Sequence, residues 1–402
     1  MRDFRRLLTG RFFLTFSVQM QSVIIGWRMY ELTGQPLFLG LVGLAEAIPA
    51  LGLAIPAGTF VDRSNPLRTY AAVVLGSVAS AAVLVLAHIP WLALTVPAAI
   101  TALFVSSFLT GCARAFSQPC VYAMVPRMVS RDMLSRCTAW TTTTMQTARI
   151  AGPAFGGMAY GFLGAEASAI LVFCFLLCAL AGVLSIQADL PAPVRPPAVD
   201  RKEELFSGLK YVFEHPILLP ALSLDMVSVL FGGVTALLPI YASDILQVGP
   251  RGLGILRGAP ALGAALVALW LTRREIKERA GAWLFVSVVG FGVCILIFGV
   301  STSFPLSVLA LALSGAFDSV SMVVRSTAVQ LLSPDGLRGR ISAVNSMFIG
   351  SSNELGQLES GVAAHFLGTV PSVLFGGVMC LLTVAIAAFY APDLRKLHLG
   401  KI

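Results

Sequence analysis

Five carboxylates and five guanidinium groups interrupt otherwise apolar stretches of this chain. The acids are Glu46, Asp225, Asp318, Glu354 and Glu359, and the bases are Arg28, Arg114, Arg149, Arg257 and Arg325. The runs around them are about 20 residues long, enough to cross a bilayer as helix. A charge at the centre of such a helix costs roughly 2.5–3.5 kcal/mol on insertion scales, so each must pair, face water or neutralise. Burial favours the protonated form of a carboxyl, and access to water on one side lets it release the proton. That pair of states is the minimum equipment for proton-coupled exchange. Glu46, Asp318 and Glu354 are the candidate proton-coupling acids by their depth. Asp225 and Glu359 are assigned as structural or pairing acids, and the five arginines are the available counter-charges. A permanent Glu–Arg pair tying helices together is the competing role for each acid.

Polar neighbours sharpen one of these positions. Residues 351–361 read SSNELGQLESG, with Asn353 and Gln357 beside the two glutamates. At about 100° per residue, Glu354 and Glu359 lie about 140° apart around the helix and cannot share one proton. Glu354 belongs at the edge of the Asn353–Gln357 stripe, and Glu359 points to another helix. Gln19 and Gln21 are candidate cavity-lining groups in the first helix.

Other chemistries find no residues. The seven cysteines lie mostly inside apolar runs without zinc-like spacing and read as small packing residues. The four histidines sit at span ends or in loops, and no phosphate-binding GxxxxGK[ST] loop occurs. No metal site, catalytic residue or cofactor is therefore expected, and the proton gradient is the expected energy source. The expected partners are a small-molecule substrate and the lipid bilayer, not nucleic acid, with the chain acting as a monomer.

The elements that must hold these groups follow from composition. Charged residues make up 12% of the chain and the mean hydropathy is +0.85, too little charge to cover a soluble domain of about 25% charged residues. The pattern predicts an all-α polytopic membrane protein with twelve spans. They fall near 11–32, 37–60, 68–89, 92–118, 137–163, 166–187, 217–241, 250–272, 281–300, 305–331, 341–366 and 369–391. With the N-terminus inside, the inner segments collect most of the 28 Lys and Arg residues, while the outer loops hold only Arg251. That bias places both termini in the cytoplasm. The basic, apolar N-terminus is read as a retained first helix, since no small-residue cleavage site follows.

The polar gap 188–216 divides the chain into halves of six spans, 1–187 and 217–402. Its Pro-rich front reads as an extended linker. Its rear carries Leu205, Leu209 and Val212 at helical spacing with Phe206 and Phe213, a short amphipathic helix on the inner surface. The halves repeat. PALG occurs at 49–52 and at 260–263, and VSRDMLSRCTAW (129–140) parallels LSPDGLRGRISAV (332–344). In this frame Arg257 answers Glu46, Arg325 answers Arg114, and Gly356 and Gly361 answer Gly152 and Gly157. Two pseudo-symmetric six-helix bundles are the plan of a secondary transporter.

Three stretches resemble the major facilitator superfamily. GTFVDRSNPLR (58–68) resembles its inner-gate loop signature at Gly58, Asp62 and Arg63, with Arg68 supplying a later charge and Asn65 and Pro66 departing from the pattern. RIAGPAFGG (149–157) resembles the Gly-Pro motif of the fifth helix, through Gly152, Pro153, Gly156 and Gly157. AFSQPCVYAMVPRMVSRDMLSR (115–136) and EELFSGLKYVFEHP look like the bacterial branch of enterobactin and drug exporters. The resemblance implies the twelve-helix fold of that superfamily and alternating access. It implies a latch at Asp62, and proton-coupled export of a drug-like molecule or siderophore across the bacterial inner membrane. An importer, a lysolipid transporter and a non-transporting membrane sensor or assembly partner are the alternatives.

Overall fold

A computed structural model of the chain describes residues 2–89, 92, 94–188, 209–271, 273, 278–334 and 337–398. These residues are helical almost throughout, with no strand among them. The helices are α1 (Arg2–Thr33), α2 (Pro36–Gly52), α3 (Ala54–Val61), α4 (Pro66–His88), α5 (Val96–Met128) and α6 (Arg131–Leu184). They continue with α7 (Leu218–Gly232), α8 (Gly249–Leu271), α9 (Ala280–Val300), α10 (Phe304–Leu332), α11 (Arg338–Leu367), α12 (Thr369–Tyr390) and the short α13 (Pro392–Arg395). Among the described residues, eight membrane-crossing candidates meet the length and apolarity needed, and α2 is a shorter apolar helix. The chain is thus a multi-pass membrane protein.

Local sequence explains where these helices start and break. Proline occupies the first turn of α2, α4, α5 and α10, where a missing N–H has no helical partner to lose. Asn65 caps α4 by accepting from the backbone N–H groups of Leu67 and Arg68 at 3.0 and 3.1 Å. The two departures from the loop signature, Asn65 and Pro66, are therefore a helix start. α6 runs through both expected spans, 137–163 and 166–187, and turns at Gly164, whose φ of 82° suits glycine. The expected helix 217–241 is interrupted. α7 stops at Gly232, a 3-10 turn covers Thr235–Leu237, and a π turn covers Tyr241–Ile245. Gly233 sits at the break, and its carbonyl accepts from Ser360 Oγ at 2.6 Å, which satisfies a group the helix no longer serves.

The chain divides into two compact units. One holds the described residues of Met1–Arg195 together with Leu238–Gly258, and the other those of Pro196–Leu237 with Ala259–Ile402. In the first unit α1 packs along α6, α4 along α5, and α2 on α5. The glycines of the Gly-Pro motif, on α6, permit this approach. A Cβ at Gly156 would lie 2.9 Å from Met20 Cα on α1, and one at Gly157 would lie 2.7 Å from Gly254 Cα on α8. Both distances are inside contact range, so a side chain at either position would push the helices apart.

In the second unit α9 packs on α10 and α12, and α7 on α11 and α12. Its core joins Leu224, Leu284, Val288, Val324 and Leu394. Residues 209–214 are helical, and Val212 is buried with Leu218, Leu222, Val329 and Ile341. This part of the expected amphipathic helix lays its apolar side on protein, while Phe213 remains exposed. The Pro-rich front of that segment, with Leu205 and Phe206, lies outside the described residues.

Candidate functional site

In the first unit, α2, α5, α6 and α8 bring charged groups together. Arg114 on α5 forms an ion pair with Glu46 on α2. Arg257 on α8 donates to Ser22 Oγ on α1 at 2.9 Å, and Glu46 lies within electrostatic reach of the same guanidinium. Arg149 on α6 interacts with Arg114 and, further along, with Arg11. Arg149 is exposed although it stands near the middle of its helix, and Arg114 is exposed as well. A guanidinium at that depth is tolerated against water, not against hydrocarbon. Within this unit Glu46 thus serves Arg114 and Arg257, and Arg149 adjoins them through Arg114. The close α2–α5 approach depends on Gly111, where a Cβ would meet the backbone of Glu46.

Other predicted residues of this unit lie elsewhere. Gln21 is buried, not cavity-lining: its Nε2 donates to Ser80 and Ser106 hydroxyls at 2.7 and 2.8 Å and reaches Thr110 at 3.3 Å. It ties α1, α4 and α5 into one polar core. Gln19 is partly buried against Gly152. Arg28 pairs with Glu31 at 3.1 Å, and Glu31 also accepts from Trp27 at 2.5 Å and from Tyr160 at 2.6 Å. Tyr30 donates to Asp244 nearby in the same unit. Asp62 closes α3, its N–H donating to the Gly58 carbonyl at 3.1 Å. Arg63 and Arg68 follow in the turn and in the first turn of α4.

The second unit holds the remaining acids. Asp225 on α7 and Arg325 on α10 form a buried ion pair, and Ser321 donates to Asp225 at 3.0 Å. Asp225 is 4% and Arg325 3% exposed. A cavity of ≈ 10 Å³ beside this pair is lined by Asp225, Asp318, Ser228, Ser287, Ser321 and Phe291, about the space one water requires. Asp318 thus shares a polar chamber with a carboxylate that already has its counter-charge. Glu354 is buried inside the unit at 4% exposure, Glu359 is partly buried, and Asn353 is exposed with its amide donating to the Ile349 carbonyl at 2.8 Å. Gln357 is partly buried. The Asn353–Gln357 stripe does not continue to Ser360, which turns inward to the break at Gly233.

Sequence reasoning did not reach Ser22, Arg11, Glu31 or Asp244. Glu31 had a local signal, since it stands three residues after Arg28 and four after Trp27, the spacing of neighbours on one helix face. Ser22, Arg11 and Asp244 carry no such mark, as their partners are far away in sequence. Among the described residues, no cluster of His, Cys, Asp and Glu could hold a metal ion.

Comparison with known proteins places this arrangement. The family described as transmembrane secretion effector matches residues 2–399. The enterobactin exporter EntS of Escherichia coli O1:K1 and that of Shigella boydii serotype 18 are each 26% identical over 274 residues, 68% of this chain. The chain spans 65% of the length of these curated relatives. A POT family transporter solved with 5-aminolevulinic acid shares the fold at a TM-score of 0.78 and 12% identity, over 97% of this chain and 96% of that one. A bacterial homologue of the iron transporter ferroportin, solved in an inward-facing state, does so at 0.70 and 15%, over 98% and 99%. These proteins are transporters, not enzymes.

Proposed function

The chain belongs to the transmembrane secretion effector family of major facilitator transporters, and we propose that it is a proton-coupled exporter of a small amphipathic compound, drug-like or siderophore in type. On this reading it works as a monomer in the bacterial inner membrane by alternating access, with twelve spans in two six-helix halves and both termini inside. The enterobactin exporters among its relatives support the direction of transport and the substrate type.

The single observation behind proton coupling is the position of Asp318. It lines a chamber of one water's size with Asp225, whose charge is met by Arg325. Two ionised carboxylates in so small a space repel, and among the described residues Asp225 alone has an ion-pair partner there, so a proton on Asp318 would relieve the repulsion. Water reaching the chamber from one side would take its proton. Glu354, buried in the same unit, is the second candidate. Glu46 already has Arg114, which suits a fixed charge.

Reconstituted protein tests the reading. Compounds that stabilise the purified transporter are to be loaded into proteoliposomes with an imposed pH gradient. Flux should follow the gradient in the wild type, and Asp318→Asn should bind the compound yet lose gradient-driven flux. Wild-type flux that ignores the gradient would sink proton coupling.

A further inference from the structure

We infer that the transported compound carries a negative charge and that the guanidinium groups of Arg149, Arg114 and Arg257 receive it. The inference rests on the transporter reading of this site and adds the class of its substrate. Within the first unit, Glu46 pairs with Arg114 and lies within electrostatic reach of Arg257, while Arg149 extends the cluster through Arg114. Among the described residues one carboxylate, Glu46, is set against Arg114 and Arg257 with Arg149 adjoining, and even one further carboxylate would leave the cluster cationic. A purely structural charge cluster would balance, because each unmatched charge in a membrane protein is expensive. This excess is instead displayed, as Arg114 and Arg149 are both exposed.

The type of base is informative as well. All three are arginines, whose planar fork of donors matches a carboxylate or a phosphate with two parallel hydrogen bonds. Ser22, fixed on Arg257 at 2.9 Å, offers an oxygen and a rotatable proton at the edge of the same group. Glu46 holds the Arg114 fork in place. Arg149 is left as the group with most freedom to meet a ligand. The shared chemistry is an organic anion, borne either by a water-soluble compound or by a lipid headgroup.

Binding to the purified full-length protein in detergent tests the inference without any gradient. Naphthoate, naphthamide and naphthylmethylamine share one apolar body and differ in charge. Naphthoate should bind at least about tenfold more tightly than the other two. Arg149→Gln should lose about tenfold of that affinity, and Arg149→Lys should keep part of it. Both variants should melt at the wild-type temperature, since Arg149 is exposed. Amine or amide binding as tight as naphthoate, no saturable naphthoate binding, or full affinity in a folded Arg149→Gln would overturn the inference. Lysophosphatidate as competitor separates the two sources: displacement assigns a lipid-borne phosphate and retention a soluble anion, and both results keep the anionic class. Flux that ignores a pH gradient while naphthoate still binds would remove the coupling and leave the substrate class standing.

Discussion

The Asp225–Arg325 pair gives a prediction whose size can be worked out. Both groups are almost fully enclosed in the second unit, and Asp318 lines the cavity beside them. Arg325→Met keeps an unbranched side chain of similar length and removes the charge. Asp225 then faces Asp318 with no counter-charge from α10. Breaking a buried pair in this way costs about 3–5 kcal/mol. At about 2–4 °C per kcal/mol for a unit of this size, the melting temperature should fall by roughly 6–20 °C. Asp225→Asn combined with Arg325→Met removes both charges while the Asn carbonyl still accepts from Ser321. That double variant should recover most of the loss, because a pair replaced as a whole leaves no orphaned ion. Thermal unfolding in detergent, followed by intrinsic tryptophan fluorescence, measures all three proteins. A double variant as unstable as Arg325→Met alone would refute the electrostatic account and assign the loss to packing around the arginine stem. So would an Arg325→Met protein that melts with the wild type.

Two further predictions concern polar groups that hold helices in place. Gln21→Leu removes the donor shared by Ser80, Ser106 and Thr110; it should cost about 1–3 kcal/mol, read as a lower melting temperature, since the hydroxyls still bond one another across α4 and α5. His215 accepts the backbone N–H groups of Ile217 and Leu218 on Nδ1 at 3.2 and 3.3 Å, which it can do only unprotonated. Burial lowers its pKa from the ordinary 6.5, so its stabilisation is present above the usual histidine range and is lost as pH falls through the lowered value. The gap in melting temperature between wild type and His215→Phe should therefore narrow from about pH 8 to about pH 5; a constant gap would show that the cap does not depend on the imidazole.

How much of this was readable in advance depended on the kind of signal. Helix starts were legible where they rest on local chemistry, as with Asn65 and Pro66, although a family signature had marked both as departures. Gly164 was legible as a break because glycine alone takes its φ without strain. The acids and arginines were legible as a set, because a charge in an apolar run stands out. Their partners were not. A membrane helix is apolar on nearly every side, so periodicity does not say which face meets protein, water or lipid. Gln21 illustrates the consequence: the sequence marks a polar group in α1, but only the positions of Ser80, Ser106 and Thr110 make it buried. Glu354 and Glu359 illustrate it too, since the sequence gives the helical angle between them but not that the first is buried and the second only partly so.

The internal repeat explains why the charges distribute as they do. In the repeat frame Glu46 and Arg114 of the first half answer to Arg257 and Arg325 of the second. The first pair can close on itself, and it does. The second cannot, because both members are cations, so each must find another partner. Arg325 takes Asp225 from α7. Arg257 falls within the segment that packs with the first unit, where Ser22 and Glu46 receive it. Arg257 thus brings a positive charge into the first unit, while Asp318, Glu354 and Glu359 stand in the second. The proposed roles follow that separation: anion recognition where arginines exceed acids, and proton handling where acids exceed arginines. Restoring the symmetric arrangement with Arg257→Glu should then weaken naphthoate binding, because the cluster would hold two carboxylates against two guanidinium groups.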